Sequence, residues 1–331
     1  MIRTIVLAES MPAAQEVPFA SRPPKMSPGQ KIDWDFTNWP GRPLPCSRAL
    51  GINLSSRIYL YKKPFSRENT SMKTIAIVTG AAGGLGKEIV KRIIDDVDEL
   101  WAIGRNLSKL ESIKAELAVQ GAKIVPITMD LSDTKSYDSL SAKLTAESSQ
   151  GIEIRWLVNN AGAGRFGPSC GFSTQEISTS VICHCIAPAA LCNICIPYMK
   201  RGDIIMNIAS QSAFLPLPFI NLYAATKSFV YSYTRALRQE LKDSGIKVTA
   251  VCPGWIQTNL IVDSLNGQKV KYPLIDTAQN VAKKAVRDAR KGKALSINSL
   301  GVSFVTWLQQ HMPQSLAINC WVLMIKKYIK K

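Results

Sequence analysis

No uninterrupted apolar run in this 331-residue sequence reaches the roughly 18–20 residues that a transmembrane helix needs, so no membrane-spanning helix is expected. The opening residues, MIRTIVLAES, lack the longer apolar core and the small-residue cleavage site of a secretory signal, which argues against export. No internal repeat and no second folded domain shows in the pattern. Also missing is any basic stretch interleaved with aromatics, the kind of segment that binds single-stranded nucleic acid. That absence matters because acidic residues are scarce. Asp and Glu number 24 against 41 Lys and Arg, a formal net charge of +17. Such a surplus suits nucleic acid or an anionic membrane. The basic residues are scattered among acidic ones along most helical stretches, and read as a solvated surface. No nucleic-acid partner is expected.

With 46% hydrophobic and 20% charged residues the chain can bury a sizeable core. Eight cysteines stand at irregular spacing. Four of them, Cys183, Cys185, Cys192 and Cys195, crowd around His184 in VICHCIAPAALCNIC. A zinc site is one reading of that cluster. The stretch also reads as a single helix, on which positions 183 and 185 point about 200° apart. The expectation is therefore no metal site, and buried, reduced thiols in a cytoplasmic setting.

Residues 1–71 hold many prolines (PPKMSPG, WPGRPLPC) and keep no helical or strand period. They are expected to be a disordered or loosely attached extension, with Met72 as the natural start. A targeting or interaction arm is the alternative. From Thr74 strands and helices alternate. Strands are expected at 74–79, 99–103, 123–129, 155–159, 203–208 and 246–251. Helices are expected near 85–97, 106–120, 133–148, 173–200 and 221–244, with a further helix near 276–291 and a short strand near 293–297. Apolar strands alternating with amphipathic helices predict a parallel sheet covered on both faces. The expected fold class is thus α/β: one doubly wound parallel-sheet domain over 72–297, and an extra helical tail over 298–331.

The first strand runs into Thr79-Gly80-Ala81-Ala82-Gly83-Gly84-Leu85-Gly86. Glycines at 80, 84 and 86 let the backbone turn sharply and approach a ligand. The helix that starts here offers unpaired N–H groups and a positive dipole end to a pyrophosphate. The second strand ends at Arg105, where a fold preferring NAD usually carries an acid for the ribose 2′-hydroxyl. A guanidinium forks well onto a 2′-phosphate, so NADP(H) is expected over NAD(H). A solvated loop arginine is the other reading of Arg105.

Three further segments follow: Asn159-Asn160-Ala161-Gly162, then Ser210, then Tyr223-Ala224-Ala225-Thr226-Lys227. Together, TGxxxGxG, NNAG, a Ser thirteen residues before YxxxK, and a later Pro-Gly resemble the short-chain dehydrogenase/reductase family, whose domain is a Rossmann fold. The resemblance covers about 74–297. It implies an oxidoreductase that moves a hydride between a nicotinamide and a carbonyl or alcohol carbon. Tyr223 and Lys227, at i and i+4, share a helix face. The ammonium is expected to lower the phenol's pKa towards neutrality, making Tyr223 the acid/base. By resemblance, Lys227 also bonds the nicotinamide ribose, and Ser210 bonds the substrate oxygen where negative charge grows.

The resemblance assigns Gly80, Gly84, Leu85 and Gly86 to the cofactor phosphates and Asp130 to the adenine. It gives Asn159, Ala161 and Gly162 to the adenine ribose and the support of the sheet. Pro253, Gly254, Ile256 and Thr258 fall in the stretch that meets the nicotinamide carboxamide and the phosphates. There are two departures. Ala82 stands where the family often has Ser. His184 stands where the family usually has an Asn that holds a helix kink and a proton-relay water. His184 is either part of a modified relay or a satisfied core histidine.

The family fixes the reaction but not the substrate. Phe166, Leu215 and Trp255 are expected to edge an apolar pocket, suited to a steroid, an acyl chain or a bulky ketone. Packing in the core or a subunit contact is the alternative. Residues 258–275 are expected to form a lid. The apolar, lysine-ended run from Cys320 to Lys331 is read as a membrane-surface contact, a cap on the pocket or a sheet-edge packing element. A homodimer or homotetramer is expected from family habit, and a cytoplasmic location, in reach of a membrane surface. Two other functions stay open: a β-ketoacyl reductase acting on carrier-bound chains, and a nucleotide-sensing regulator without catalysis.

Overall fold

Strand β1 (Lys73–Thr79) shows why helices cover both faces of the sheet. Its side chains alternate: Ile75 and Ile77 enter one core, Ala76 and Val78 the other, and all four are wholly buried. A strand apolar on both sides finds water on neither, which is the condition of a central parallel strand. The computed structural model describes residues 72–331 except 119–122, 150, 259–260, 262–263, 266–267 and 330–331. The expectations for 1–71 lie outside the described residues.

Around β1 the sheet contains β2 (Glu99–Gly104), β3 (Lys123–Thr128), β4 (Ile152–Asn159), β5 (Ile204–Ile208), β6 (Lys247–Val251) and the short β7 (Leu295–Ser296). The order is β3-β2-β1-β4-β5-β6-β7, and every pairing is parallel. The order reverses between β1 and β4, so a crevice opens beyond their C-terminal ends.

One face carries α1 (Gly84–Ile93), α2 (Leu107–Leu117) and α7 (Ala278–Arg290). Ile89, Val90 and Ile93 of α1 are fully buried there, each contributing about 1.5–3 kcal/mol through the hydrophobic effect. The other face carries α3 (Ser136–Ser148), the helix that includes α4 (Thr174–Val181) and α5 (Ala187–Cys195), and α6 (Asn221–Glu240).

The helix expected over 173–200 is interrupted. Between α4 and α5, Ile182–Ile186 winds as one turn of π-helix, with His184 in it. An extra residue per turn lets an inward side chain step out of the ordinary α register. By length and mean hydropathy alone, Thr174–Tyr198 would qualify as a membrane span, although no uninterrupted run announces it. Here its Ala187, Leu191, Cys192 and Cys195 are buried against β4 and β5.

The tail forms α8 (Leu300–His311) and α9 (Gln314–Ile329). Ser299 caps α8, its hydroxyl accepting from Val302 N. Ala317, Trp321, Ile325 and Tyr328 are buried along one face of α9. Their i, i+4, i+8, i+11 spacing makes a stripe. The first three join Leu215, Leu217, Ile220 and Ala224 in a third core.

Candidate active site

The glycine loop is held by its own backbone. Gly80 has φ +62°, and its carbonyl accepts from Gly83 N and from Asn160 Nδ2. A Cβ on Gly86 would stand 2.2 Å from that carbonyl oxygen and 2.8 Å from Asn160 Nδ2, so no side chain fits there. A Cβ on Gly84 would come 2.9 Å from Thr258 Cγ2, which brings the 253–258 stretch against the loop. Helix α1 begins at Gly83 with no side-chain cap and no acid in its first turn. Its leading N–H groups and dipole therefore face the crevice uncompensated, which suits a pyrophosphate. Leu85 is buried beneath the loop rather than open to the crevice.

Arg105 is exposed just beyond β2 and makes no hydrogen bond or ion pair among the described residues. Its charge helps hold the Asp130 carboxyl below the usual range, but the main cause is Ser132, whose N–H and hydroxyl donate to it at 2.9 and 2.8 Å. The Asp130 side chain thus caps its own turn. Asn159 faces inward: its amide donates to Asn207 Oδ1 at 2.8 Å, and Asn207 donates on to Thr234 at 3.0 Å. Its side chain therefore ties β4 to β5, the support of the sheet that the resemblance implies.

Tyr223 and Lys227 project from the start of α6. The Ser210 hydroxyl stands near enough to the phenol to lower its pKa, and accepts from Ser212 N at 3.1 Å. Lys227 is buried, and its Nζ donates to Ile208 O at 2.8 Å. Burial lowers its pKa to about 8. The ammonium lies 5.6 Å from the centre of the Tyr223 ring. The expected lowering of the phenol's pKa is not found in this geometry: burial raises it, and only the nearby Ser210 hydroxyl opposes the rise. The physical reason is direction, since the amine points to a backbone carbonyl.

His184 is buried with both ring nitrogens engaged. Nε2 lies 3.1 Å from Ala163 N and accepts its proton. Nδ1 then carries the hydrogen and meets Thr226 Oγ1 at 3.1 Å, while Thr226 donates to Tyr223 O at 2.9 Å. Burial, reinforced by the Lys227 charge, lowers the His184 pKa to about 3. A Cβ on Gly162 would come 2.9 Å from this imidazole and 3.3 Å from Lys227 Nζ. The NNAG turn can pass only because Gly162 has no side chain. Ala161 belongs to the same approach, its N–H donating to Thr79 Oγ1 at 3.1 Å.

The Pro253 carbonyl accepts from Gln211 N, and Gly254 N donates to Asn298 Oδ1 at 3.0 Å. A Cβ on Gly254 would be 2.9 Å from Val302 Cγ2 of α8. Ile256–Gln257 pairs with Asp276–Thr277 in a short parallel bridge.

Against the apolar cluster on which Tyr223 packs lies a cavity of about 250 Å³. Phe166 and Trp255 line it, stacked with their rings 6.1 Å apart. Leu215 does not: it is buried in the apolar cluster on which Phe166, Tyr223 and Trp255 pack. Phe219, at φ +65°, adds its ring to the wall, its carbonyl accepting from Gly167 N at 2.8 Å. Such a backbone is costly for an aromatic residue and concentrates at functional sites. The other wall is Trp321, Met324, Ile325 and Tyr328 of α9, which matches the pocket-cap reading of the run from Cys320, although the sequence reading names no single residue of it for the pocket. Trp321 Nε1 donates to Pro218 O at 2.9 Å, and Tyr328 OH accepts from Lys271 N at 3.0 Å, which fixes that wall. The periodicity of α9 was the available signal. The expected lid over 258–275 lies partly outside the described residues; Lys271 and Tyr272, at its end, edge the cavity.

Comparison with known proteins places these features. Residues 74–269 match the family described as short chain dehydrogenase. The chain is 32% identical over 193 residues to 17-beta-hydroxysteroid dehydrogenase type 3 of Mus musculus, covering 57% of this chain and 62% of that protein. It is 30% identical over 230 residues to ketoacyl reductase HetN of Nostoc, covering 68% and 77%. A short-chain dehydrogenase from Sphingobium yanoikuyae in complex with NADPH shares the fold, with TM-score 0.61, 23% identity and coverage of 74% and 98%. The bulky-bulky ketone specific alcohol dehydrogenase from Comamonas testosteroni does so with TM-score 0.57, 23% identity and coverage of 74% and 96%.

Proposed function

The chain belongs to the short-chain dehydrogenase/reductase family and is an oxidoreductase of CH–OH and C=O groups, and on that premise we propose that it interconverts a ketone and a secondary alcohol on a lipophilic substrate, using NADP(H). The observation that carries this reading is that Tyr223, with Ser210 near its phenol and the buried Lys227 one helical turn on, packs on the same apolar cluster whose Trp321 and Ile325 wall the cavity. A nicotinamide bound there supplies or accepts the hydride.

The residues of the chain handle the proton. A phenol whose pKa is raised stays protonated near neutral pH, so Tyr223 is ready to give its proton to a carbonyl oxygen during reduction. The Ser210 hydroxyl stands beside it and stabilises the growing negative charge. Lys227, charged below about pH 8, sits under the ring and offsets the phenolate left behind. His184 is neutral and fully bonded, so it acts here by holding the Ala163 turn against the α6 backbone, not by carrying a proton.

The substrate class rests on the aromatic and aliphatic lining of the cavity. It also fits the steroid and bulky-ketone substrates named for the relatives. The cofactor choice rests on Arg105, exposed and without a partner among the described residues, where a 2′-phosphate would lie. One observation favours a second reading, reduction of β-ketoacyl thioesters: relatives include HetN and a very-long-chain 3-oxoacyl-CoA reductase of Anas platyrhynchos.

Oxidation of NADPH and of NADH, followed against steroid ketones, aryl ketones and β-ketoacyl thioesters, tests these statements together. Turnover of free ketones with NADPH is expected. Arg105→Ala should reduce the NADPH preference about 10- to 100-fold. Turnover confined to thioesters would establish the second reading. Equal use of both cofactors by the wild-type protein would remove the role given to Arg105.

A further inference from the structure

Helix α8 carries its apolar residues on the wrong side for a core. Leu300, Phe304, Trp307 and Leu308 are 91%, 62%, 52% and 40% exposed. Their spacing of i, i+4, i+7 and i+8 sets them on one face within about 100° of arc. The opposite face meets the protein through Val302 and Thr306, both buried. The exposed face is ordered: the rings of Phe304 and Trp307 stack 6.2 Å apart, and Trp307 stacks on His311 at 4.7 Å. Leu274, 50% exposed, extends the patch, since a Cβ on Gly301 would lie 3.2 Å from its Cδ2. Leu274 is held at φ +54°, a conformation leucine rarely adopts.

We propose that this face of α8 docks on an anionic lipid bilayer. Charge selects the occupant. No Asp or Glu occurs after Asp288, while Lys326, Lys327, Lys330 and Lys331 follow within the same tail. An aromatic-rich apolar face joined to a segment of purely positive charge matches the layered chemistry of a bilayer surface, with acyl chains beneath anionic headgroups. A tryptophan stacked at the patch fits the boundary between them. The run from Cys320 to Lys331 is not itself the inserting face, because Trp321, Ile325 and Tyr328 turn inward to wall the cavity. α9 contributes only its outer side, where Leu323 is 70% exposed. Docking follows from this surface alone and does not depend on the substrate or cofactor reading.

The test is co-sedimentation of the full chain with vesicles of phosphatidylcholine, with and without phosphatidylserine, at low and high salt. Retention is expected on the phosphatidylserine vesicles, weakening as salt rises. The double variant Phe304→Ser, Trp307→Ser should lose binding about tenfold or more. Leu300→Asn, at a side chain that supports nothing in the fold, and Lys326→Glu should each lose less. Circular dichroism melting and NADPH fluorescence check that the variants are folded. Failure of the wild-type chain to bind anionic vesicles at low salt would overturn the proposal. So would a double variant that binds as well as wild type. A double variant that dissociates a self-assembled species in analytical ultracentrifugation, with vesicle binding unchanged, would give the face to a second copy instead.

Discussion

The two walls of the site are built by different physics. On the cofactor side every constraint has the backbone on at least one side. Gly86 faces the Gly80 carbonyl, Gly162 faces His184, and Asn160 donates to the carbonyls of Thr79 and Gly80. Nothing there can change without moving the chain. On the substrate side the contacts are side chain against side chain: Phe166 on Trp255, Trp255 on Tyr272, and α9 laid over both. Apolar surfaces of this kind repack when a residue changes size. In the proposed function the first wall fixes what reaction is run and the second sets what molecule it is run on.

The sharpest challenge to this contrast lies at Tyr223. Tyr223→Phe keeps the ring that packs against Gly164 and removes only the hydroxyl near Ser210. A loss of kcat of about 10³-fold is expected, with NADPH affinity nearly unchanged. Stopped-flow hydride transfer and a cofactor titration on the same preparation measure the two. Transfer at the wild-type rate would show that the proton comes from elsewhere and that the rigid wall does not set the chemistry.

The same contrast explains what the sequence made legible. Backbone-imposed residues leave short, spaced motifs, so the glycine loop, NNAG and Tyr223/Lys227 could be read directly, along with all seven strands of the sheet. The α9 wall left no motif. Its signal was a four-residue stripe, 317, 321, 325 and 328, inside a run that looked uniformly apolar. The π-turn at Ile182–Ile186 was invisible because one extra residue in a helix leaves the composition unchanged. Where motif reading misjudged, it mistook presence for orientation: Lys227 has the expected spacing from Tyr223 but donates to Ile208 O.

His184 gives a smaller effect on the rigid side, read by stability. Its folded pKa, about 3, lies below the ordinary 6.5. Protonation therefore favours the unfolded chain. The stability this histidine contributes is complete above pH 6.5 and is lost as pH falls towards 3. Between about pH 7 and about pH 5 the loss amounts to roughly 2 kcal/mol. Asp203 works in the opposite sense: its pKa is raised to about 6, mainly by burial, so its contribution grows as pH falls through that value. The difference between wild type and His184→Asn cancels Asp203. Urea denaturation of both across this window should show a flatter pH dependence in the variant. Equal slopes would mean that His184 takes up no less acid in the fold than in the open chain.

The smallest expected effect is on the soft wall. Met324 lines the cavity with one side and meets solvent with the other, at 43% exposure. Truncating it to alanine removes contact from a substrate without opening a closed core, because nothing behind it depends on its volume. Met324→Ala should raise KM for a bulky ketone about three- to tenfold, the amount expected for losing two or three methylene-sized contacts from a half-buried surface. The kcat should hold, since the interaction is made equally before and during hydride transfer. A smaller ketone that does not reach α9 should show no change at all. If Met324→Ala instead lowered kcat for both ketones with KM unchanged, α9 would be acting on the reacting groups, and the division between the two walls would be wrong.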